Sequence, residues 1–544
     1  MNQQRSILFV ILPYLVRSKE TGNNNTRSVL AFPYGVLSIA SYIRIKATGN
    51  PQISILDLNL YCLEEIPEKI NQAIEKNKPD IAALSMMFDS SYKYLNSVSK
   101  QIKNNDNNIT VVLGGSATTV SWNMILHEQE YVDALCYSEG EYPLCQLVDA
   151  NDIIETLASN PVWVTKRSLA ENQTPLPRYV ENLNEVINID YELINVADYR
   201  MIEAFSPFSS IKGSADVRQF FMVTSRGCPF KCVFCSGPSL HGKNIRYADV
   251  DVLIGHVKQL VQNYRMNVLT IYDDQLLFNR NRAKEFFKRL AEFKLRVETP
   301  NGLSAAFIDD EMAGLMKSAG IDTVPLAIES GSSRMLNEVI HKPLRLEQVK
   351  PVVEMLQHNN IFVQGYFVVG IPGEREEDRI ETIRFIKEVG LDWAGFNLAT
   401  PLRGSELYKI CKENGYIDPS YGIGDSGMHD YVIKAPGLDP VEIKKKRYLM
   451  NLDVNFVNNH RMRIGDYETA ILCFKDVIAR YENHAFAYYY LAKALATSNK
   501  DGQKIEQALA KVQDIINKDG VWKEYFEYFS VDFATESKSL GLNK

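Results

Sequence analysis

The sequence lacks the signatures of several large protein classes. No apolar run reaches the roughly 18 residues that a membrane-spanning helix needs. No G-x-G-x-x-G follows the first apolar run and no P-loop occurs, so nothing supports binding of a dinucleotide or a nucleoside triphosphate. A formal net charge of −7 leaves no basic excess, which argues against a nucleic-acid-binding protein because such proteins neutralise phosphates. With 544 residues, we expect several globular domains.

Cysteine is scarce and does not form the pattern of a disulfide-rich secreted protein. Five of the eight cysteines are scattered and are expected to be small core residues: Cys62, Cys136, Cys145, Cys411 and Cys473. The apolar run 6–16 could pass for a signal peptide. It contains Pro13, is followed by Arg17 and Lys19, and no cleavage site appears, so a buried first strand is favoured. We therefore expect a reducing, cytoplasmic location.

The other three cysteines stand together in Cys228-Pro-Phe-Lys-Cys232-Val-Phe-Cys235. Thiolates are soft ligands for iron–sulfur clusters or zinc, and closed sites of both kinds normally take four protein ligands. Three ligands suggest a cluster with one metal corner left open for reaction. A zinc site completed by a distant ligand such as His241, or a chance group of buried thiols, remains an alternative at this point.

Residues 1–150 alternate between strand and helix signals, which predicts a doubly wound parallel sheet. The predicted strands are Ser6–Leu12, Ile53–Leu58, Ile81–Met87, Ile109–Leu113 and Ala134–Tyr137. The predicted helices are Tyr34–Lys46, Ile66–Lys76, Tyr92–Lys103 and one from Tyr142. Ligands of such sheets bind at the carboxyl ends of the strands. Polar or glycine residues occupy three of these ends: Ser85, Gly114 with Gly115, and Glu139 with Gly140.

Residues 151–212 lose periodicity and are predicted to be an ordered linker, and residues 213–415 alternate again. Six strands are predicted: Phe220–Thr224, Val268–Tyr272, Leu295–Glu298, Thr323–Ile328, Phe362–Val369 and Trp393–Leu398. Six βα units suggest a partial (β/α)6 barrel with chemistry at the strand carboxyl ends. The cysteine segment follows the first strand. The later ends carry Asp273-Asp274, Glu329-Ser330-Gly331, the run Gly370–Glu374, and Pro401–Gly404.

Residues 416–544 are predicted to be helical. Ala470, Phe474 and Val477 match Ala508, Val512 and Ile515 at an offset of 38 positions, which resembles a tetratricopeptide repeat. One repeat and a partial one are too few for a free solenoid, so we expect this region to pack on the barrel. It could bind a partner protein or simply form a capping bundle, and the three tyrosines at 488–490 could line a groove or lie in the core.

Together these segments resemble the cobalamin-dependent radical S-adenosylmethionine (SAM) enzymes. The Cys-x3-Cys-x2-Cys spacing with Phe234 before the last cysteine, the Glu-Ser-Gly followed by Lys342, and Val-Gly-Ile-Pro-Gly-Glu match the radical SAM part. The Gly-Gly strand end and the Ser-Glu-Gly-Glu turn match the cobalamin-binding part. One departure is that Asp57–Cys62, which corresponds to the Asp-x-His-x-x-Gly of many corrinoid proteins, contains no histidine.

The resemblance implies a role for each candidate site residue. Cys228, Cys232 and Cys235 would hold a [4Fe–4S] cluster whose open iron chelates SAM. The residues implied for SAM are Phe234, Asp273, Asp274, Glu329, Ser330 and Gly331. The residues implied for cobalamin are Ser85, Gly114, Gly115, Glu139 and Gly140. Capping and strand-end packing is the alternative role for the residues other than the cysteines.

The function that the resemblance implies is methylation of an unactivated carbon through a 5′-deoxyadenosyl radical and methylcobalamin, on a small molecule or a peptide. An electron donor such as flavodoxin or ferredoxin is implied as a partner. Cyclisation or rearrangement without methyl transfer is the first alternative. A cluster-bearing scaffold or sensor with a partner-binding tail is the second. A tRNA methylthiotransferase is least favoured, because no second cysteine triad or basic C-terminal RNA domain is present.

Overall fold

The computed structural model describes residues 4–14, 31–199, 217–425, 430–498, 502–533 and 535. The chain divides into two compact units. The first comprises Met1–Ala204, Arg218–Leu276 and Thr400–Asp430. The second comprises Phe205–Val217, Leu277–Ala399 and Tyr431–Lys544. Within the described part of the chain, no helix combines the length and the apolar character needed to cross a bilayer.

A six-stranded sheet forms the core of the first unit, in the spatial order β2-β1-β3-β4-β5-β6. Its strands are β1 (Ser6–Ile11), β2 (Gln52–Asp57), β3 (Ile81–Ser85), β4 (Thr110–Gly114), β5 (Ala134–Cys136) and β6 (Trp163–Thr165). All neighbours are parallel except β5 and β6. Every residue of β1 is buried, as expected for a central strand of a doubly wound sheet. All five predicted strands form, and β6 is the addition.

The order of the strands reverses beside β1, which places a topological switch point at the carboxyl ends of β1 and β3. The helices of this region are α1 (Tyr34–Lys46), α2 (Ile66–Asn77), α3 (Tyr92–Asn105), α4 (Ser116–Glu128), α5 (Glu141–Asp149), α6 (Ile153–Ser159) and α7 (Lys166–Ala170). Their apolar faces bury the sheet, so the fold class predicted for this region is confirmed.

The segment predicted as an ordered linker is packed over residues 151–199. Val180, Leu183 and Tyr191 are fully buried, and the ring of Tyr191 lies 5.1 Å from that of Phe32 and 4.9 Å from that of Phe220, centroid to centroid. Residues 200–216 lie outside the described residues, so the predicted linker and barrel boundaries there stay predictions.

The middle region contains all six strands predicted for the barrel. Its strands are β7 (Gln219–Met222), β8 (Ser225–Arg226), β9 (Arg246–Tyr247), β10 (Val268–Ile271), β11 (Arg296–Glu298), β12 (Thr323–Glu329), β13 (Phe362–Val369) and β14 (Trp393–Leu398). In the first unit β7 pairs in parallel with β10, and β8 pairs with β9 antiparallel. In the second unit β12, β13 and β14 are parallel neighbours in that order. The short β8–β9 ladder was not predicted.

The helices of this region begin and end at residues suited to those positions. They are α8 (Gly237–His241), α9 (Val250–Tyr264), α10 (Arg280–Leu290), α11 (Asp310–Ser318), α12 (Val349–His358), α13 (Glu376–Val389) and α14 (Glu406–Glu413). The side chain of Asp309 accepts a hydrogen bond from Met312 N and thereby caps α11, and Ser405 caps α14 in the same way. These caps fix the loops that precede the helices.

The C-terminal region is helical, as predicted. Its helices are α15 (Pro440–Leu452), α16 (His460–Arg463), α17 (Tyr467–Arg480), α18 (Ala485–Thr497), α19 (Gly502–Lys518) and α20 (Val521–Tyr528). The matching apolar positions of the predicted repeat are buried in one shared core with α18. Tyr489 and Tyr490 are buried there too, so these two tyrosines are core residues and do not line a groove.

The helical region is fixed to β14 by one buried amide. Asn455 Oδ1 accepts a hydrogen bond from Ala394 N at 2.8 Å, and Asn455 Nδ2 donates to Ala394 O at 2.8 Å. The Asn455 side chain therefore satisfies the backbone N–H and C=O of Ala394, as a neighbouring strand would. Arg461 Nε lies 2.6 Å from the buried Asp392 Oδ1, which adds a charged contact at the start of β14. The expected packing of the tail against the barrel strands is present in this unit.

Replacing this amide tests whether the helical region depends on it. In Asn455→Ala the buried N–H and C=O of Ala394 lose their partners, at a cost of about 1–3 kcal/mol for each group. We expect the thermal midpoint of the full-length protein to fall by about 5 °C or more, at roughly 2–4 °C for each kcal/mol. The exposed Gln513, which donates to Asn517 Oδ1 on the same helix, α19, provides the control variant Gln513→Ala. Equal midpoints for the two variants would contradict this account of the tail.

Candidate functional site

The three clustered cysteines lie on one loop, residues 227–245, which we call the cysteine loop. It connects β8 to β9, so the antiparallel ladder between these two short strands closes its base. Gly227 has a φ of 103°, and a side chain there would place its Cβ 2.3 Å from Asn244 O. Only glycine permits this approach of the two arms of the loop. Cys228 N donates to Gly242 O at 3.1 Å and continues the contact.

The sulfur atoms of the cysteine loop have hydrogen-bond donors beside them. Gly237 N donates to Cys235 Sγ at 3.3 Å, and Gln275 Nε2 lies 3.6 Å from Cys228 Sγ. Cys228 is buried, whereas Cys232 and Cys235 are half-buried. Donors to thiolate sulfur and partial burial are the means by which proteins tune the potential of an iron–sulfur cluster. The donor set therefore fits a cluster held by three thiolates.

A single metal ion fits this loop less well. Among the described residues, no group of three or more His, Cys, Asp or Glu side chains is arranged to hold a metal ion. His241, the candidate fourth zinc ligand, has its Nδ1 3.9 Å from Glu139 Oε1. A cluster makes a different demand, because each thiolate binds a separate iron.

Two adjacent carboxylates after β10 brace the cysteine loop. Asp273 is buried and accepts hydrogen bonds from Thr224 N at 2.5 Å, Thr224 Oγ1 at 2.5 Å and Ser225 Oγ at 2.7 Å. Asp274 Oδ2 accepts one bond from Gly227 N at 3.0 Å and is only half-buried. Asp273 therefore fixes the start of β8, and Asp274 is the member of the pair with a more open carboxylate.

The loop that begins at Thr400 contacts the cysteine loop within the first unit. Leu407 N, in the first turn of α14, donates to Val233 O at 2.7 Å. Ser239 Oγ donates to Gly404 O at 2.7 Å. Val233 is adjacent to Phe234, the half-buried aromatic residue implied for SAM. Residues 404–407 therefore hold the segment that contains Phe234 in place.

Four charged residues join the N-terminal end of α5 to the base of the cysteine loop, and we call them the arginine–glutamate cluster. Glu139, in the turn before α5, and Glu141, its first residue, are buried, and Arg226 and Arg246 are largely buried. Arg246 Nη1 and Nη2 each lie 2.8 Å from an oxygen of Glu139. Arg226 lies 2.8 Å from Glu141 Oε1 and 3.4 Å from Glu139 Oε2. Burial alone would raise the pKa of Glu139, but His241 and the two arginines hold that pKa well below its ordinary value. The carboxylate of Glu139 is therefore ionised at neutral pH.

The contacts of this cluster differ from the role that the sequence suggested for Glu139, and sequence analysis missed two of the four residues. The sequence suggested that Glu139 faces cobalamin, whereas both its oxygens face arginines and its side chain is 6% exposed. Arg226 and Arg246 were not singled out from the sequence. Their only signal was their position at the two ends of the cysteine loop, which contains no carboxylate between them.

The residues implied for cobalamin lie along the carboxyl edge of the sheet. Ser85 and Gly114 are the last residues of adjacent strands and pair with each other. Gly115 has a φ of 115°, and a Cβ there would lie 2.4 Å from Met86 O. The backbone after β3 thus requires glycine at this position. Gly140 directly precedes α5, next to Glu139.

The stretch 57–62, which lacks the corrinoid histidine, is held by its own side chains. Asp57 is buried and accepts hydrogen bonds from Asn59 N at 2.9 Å and Tyr199 Oη at 3.1 Å. Asn59 Nδ2 donates to Leu12 O at 3.2 Å, and Asn59 Oδ1 accepts from Tyr14 N at 2.8 Å. These bonds connect the ends of β1 and β2, which gives both residues a structural role.

The second unit contains the remaining candidate residues, at the end of β12. Glu329 is buried, has a φ of 73°, and lies 3.1 Å from Lys342 Nζ through its Oε1. Such backbone strain in a non-glycine residue is typical of functional sites. Gly331 N donates to Thr382 Oγ1 at 3.0 Å, and Ser330 Oγ lies 3.3 Å from the same atom on α13. Ser330 and Gly331 thus fix this strand end to α13.

Two family models match this chain in tandem. The B12 binding domain matches residues 22–148, and the radical SAM superfamily matches residues 222–386. An uncharacterized methyltransferase of Pyrococcus horikoshii is 29% identical over 350 residues, covering 64% of this chain and 72% of the relative. The cytidylyl-2-hydroxyethylphosphonate methyltransferase of Streptomyces wedmorensis is 32% identical over 269 residues, and this chain spans about half (49%) of its length.

Two further similarities bear on the fold and on the alternatives. The anaerobic magnesium-protoporphyrin IX monomethyl ester cyclase of Rubrivivax gelatinosus is 25% identical over 384 residues, covering 69% of this chain and 66% of the relative. The solved structure of the cobalamin-dependent SAM radical enzyme OxsB superposes with a TM-score of 0.65 over 98% of this chain and 81% of that one. At 13% identity, this superposition shows a common fold.

Two adjacent glycines offer a matched pair of variants at the carboxyl edge of the sheet. Gly115→Ala forces a Cβ against Met86 O and into a left-handed conformation, so we expect lower stability and altered ligand binding at this edge. Gly114→Ala places its Cβ 3.8 Å from Cys136 Cβ, an ordinary contact, so we expect a nearly unchanged melting temperature. Thermal unfolding of both variants measures the difference. A stable Gly115→Ala protein would show that the edge is not held by this close approach.

Proposed function

We propose that this chain, which is a radical SAM enzyme with a B12-binding domain, methylates an unactivated carbon of a small-molecule or peptide substrate. The observation that carries the proposal is that three thiols share the cysteine loop. The base of this loop contacts Glu139, in the turn before α5 of the sheet domain, and Glu141, the first residue of α5. The two matched domains imply a [4Fe–4S] cluster, SAM and cobalamin as cofactors.

When bound, these cofactors supply a carbon-centred radical for hydrogen abstraction and the methyl group that replaces the hydrogen. Substrate carbon would lose one hydrogen and gain one methyl. SAM would be used twice, giving S-adenosylhomocysteine from the methyl donor and 5′-deoxyadenosine with methionine from the radical source. An electron donor of the flavodoxin or ferredoxin class would supply the electrons.

The chain's own residues would bind and orient these groups. Cys228, Cys232 and Cys235 would hold the cluster, with Gly237 N and the Gln275 amide as donors to sulfur. Residues 404–407 would keep the Phe234 backbone in place for the adenine of SAM. The burial of Cys228 would help to keep stray hydrogen donors away from a radical formed beside the cluster.

For the methionyl part of SAM, we favour Asp274 over Asp273, because buried hydrogen bonds occupy both oxygens of Asp273. Lys342 would orient the carboxylate of Glu329, while Ser330 and Gly331 would hold the end of β12 in place. Ser85, Gly114, Gly115 and Gly140 remain our candidates for the corrinoid, because they lie on the edge where such sheets bind ligands.

The first alternative keeps the cofactors and replaces methyl transfer by cyclisation. We keep this alternative because one of the similar proteins is named a cyclase. The second alternative is a scaffold or sensor without catalysis. In this alternative, we propose that the helical tail binds a partner protein. We also propose the domain bounds 1–150, 151–212, 213–415 and 416–544 and a cytoplasmic location.

Product analysis separates these functions. We expect the anaerobically reconstituted protein with cobalamin, reductant and SAM to release both S-adenosylhomocysteine and 5′-deoxyadenosine, since SAM has two fates in a methylation. Liquid chromatography with mass spectrometry measures both. Release of 5′-deoxyadenosine alone would favour cyclisation, and intact SAM would favour the scaffold. Failure to bind cobalamin would refute the proposal that the N-terminal domain is a cobalamin-binding domain.

The cluster itself is tested by single cysteine variants. We expect Cys232→Ala to bind about 10-fold less iron than wild type or even less, and to lose the visible absorbance of the cluster. The reason is that the hydrogen-bond donors around the cluster cannot replace a thiolate that binds iron. The control is Cys62→Ala, a half-buried thiol outside the loop. Unchanged iron content in Cys232→Ala, with wild-type melting behaviour, would contradict the assignment of this ligand.

A further inference from the structure

The arginine–glutamate cluster links the two parts of the chain that are expected to hold cofactors. We propose that Glu139 and Glu141 are positioning residues for the cysteine loop, and through it for the iron–sulfur cluster, and that Glu139 does not bind cobalamin. The turn before α5 of the B12-binding domain would thus set the geometry of the iron–sulfur site. This inference rests on the proposed function, because it takes the cysteine loop to hold the cluster.

The first argument is charge. Arg226 and Arg246 are direct cross-strand partners in the ladder between β8 and β9. Like charges directly opposite each other destabilise a strand pair. Glu139 contacts both guanidinium groups and Glu141 contacts Arg226, so two negative charges balance two positive ones. Without the glutamates, the base of the cysteine loop would carry two opposed cations.

The second argument is burial. The side chains of Arg226 and Arg246 are 12% and 13% exposed, and those of Glu139 and Glu141 are 6% and 4% exposed. Removing one partner of a buried pair leaves an uncompensated charge, which is far more costly than breaking a surface pair. The ladder therefore keeps its observed geometry only while Glu139, in the turn before α5, and Glu141, at its first position, contribute their carboxylates.

The third argument is the short path from this cluster to the cysteines. Arg226 is two positions before Cys228. Arg246 Nη2 also donates to His241 O at 2.9 Å, at the end of α8. The next carbonyl, Gly242 O, accepts the hydrogen bond of Cys228 N. Glu139 thus holds both terminal nitrogens of the Arg246 guanidinium. The guanidinium holds His241 O, and the adjacent Gly242 O holds Cys228 N, so a change at Glu139 is transmitted to Cys228 through these two backbone carbonyls.

The fourth argument is that Glu139 has little capacity left for another ligand. Its Oε2 accepts hydrogen bonds from Val180 N at 2.6 Å and from Arg246 Nη1 at 2.8 Å. Its Oε1 accepts from Arg246 Nη2 at 2.8 Å. Arg246 Nη1 donates to Val180 O at 2.6 Å as well, so the same pair also fixes the packed segment that follows the sheet. A corrinoid would have to compete with these bonds for the carboxylate of Glu139.

The test compares Glu139→Gln with Glu185→Gln, in full-length protein reconstituted with iron, sulfide and cobalamin. Glu185 is a suitable control because it forms a partly exposed pair with Lys46, 2.8 Å apart, in the same unit. Three quantities are measured: the rate of iron release to a chelator, the electron paramagnetic resonance spectrum of the reduced cluster with and without SAM, and the bound cobalamin.

We expect Glu139→Gln to release iron about 10- to 100-fold faster than wild type and to show a changed spectrum, as for other residues that orient metal ligands. Its cobalamin content should equal that of Glu185→Gln. Loss of cobalamin with normal iron release would overturn the inference and restore the cobalamin role of Glu139. Wild-type values for all three quantities would also overturn it.

A milder variant covers the case in which Glu139→Gln fails to fold. Arg246→Lys keeps the positive charge opposite Glu139 but cannot also reach His241 O, so we expect faster iron release with normal cobalamin and normal melting. Iron release at the wild-type rate would count against the inference. If the wild-type protein itself binds no cluster, the proposed function fails instead, so the two failures are distinguishable.

Discussion

Buried charge at the base of the cysteine loop is the constraint on which the site depends. Four charged side chains, each at most 13% exposed, are taken out of water together. Such pairs contribute little net stability, because desolvation offsets much of their attraction, but they tolerate very few alternative arrangements. Their value here is specificity. We infer that the cysteine loop keeps its base geometry only while Glu139 and Glu141 of the sheet domain contact it.

The backbone supports the same arrangement by close approach. Gly227 brings the two arms of the cysteine loop together, and Gly115 brings the ends of β3 and β4 together. Around these contacts, side chains that look catalytic have structural partners: Asp273 holds the start of β8, and Asp57 with Asn59 holds the ends of β1 and β2. The more open groups of the first unit, Asp274 among them, are therefore the better candidates for contact with SAM.

The sequence was sufficient for most of the fold, because long strands and helices have strong periodic signals. The predicted bounds of β13 and β14 match the structure, since both strands are rich in apolar and aromatic residues. Gly370 directly follows β13, and Thr400-Pro401 follows β14 after one alanine. The strands β6, β8 and β9 were missed because two or three residues have no measurable period. Arg246 was missed for a different reason. Its partner Glu139 is 107 positions away, and no local pattern encodes a pairing at that distance.

The account makes one structural claim that can be observed directly, namely that the turn before α5 holds the cysteine loop while the cofactors are bound. A crystal structure of the anaerobically reconstituted protein with SAM and cobalamin measures it. We predict that Glu139 will contact Arg246 through both oxygens, that Arg226 will contact Glu141, and that the three thiolates will bind three separate irons. A structure in which Glu139 contacts the corrinoid and the arginines pair elsewhere would contradict the claim.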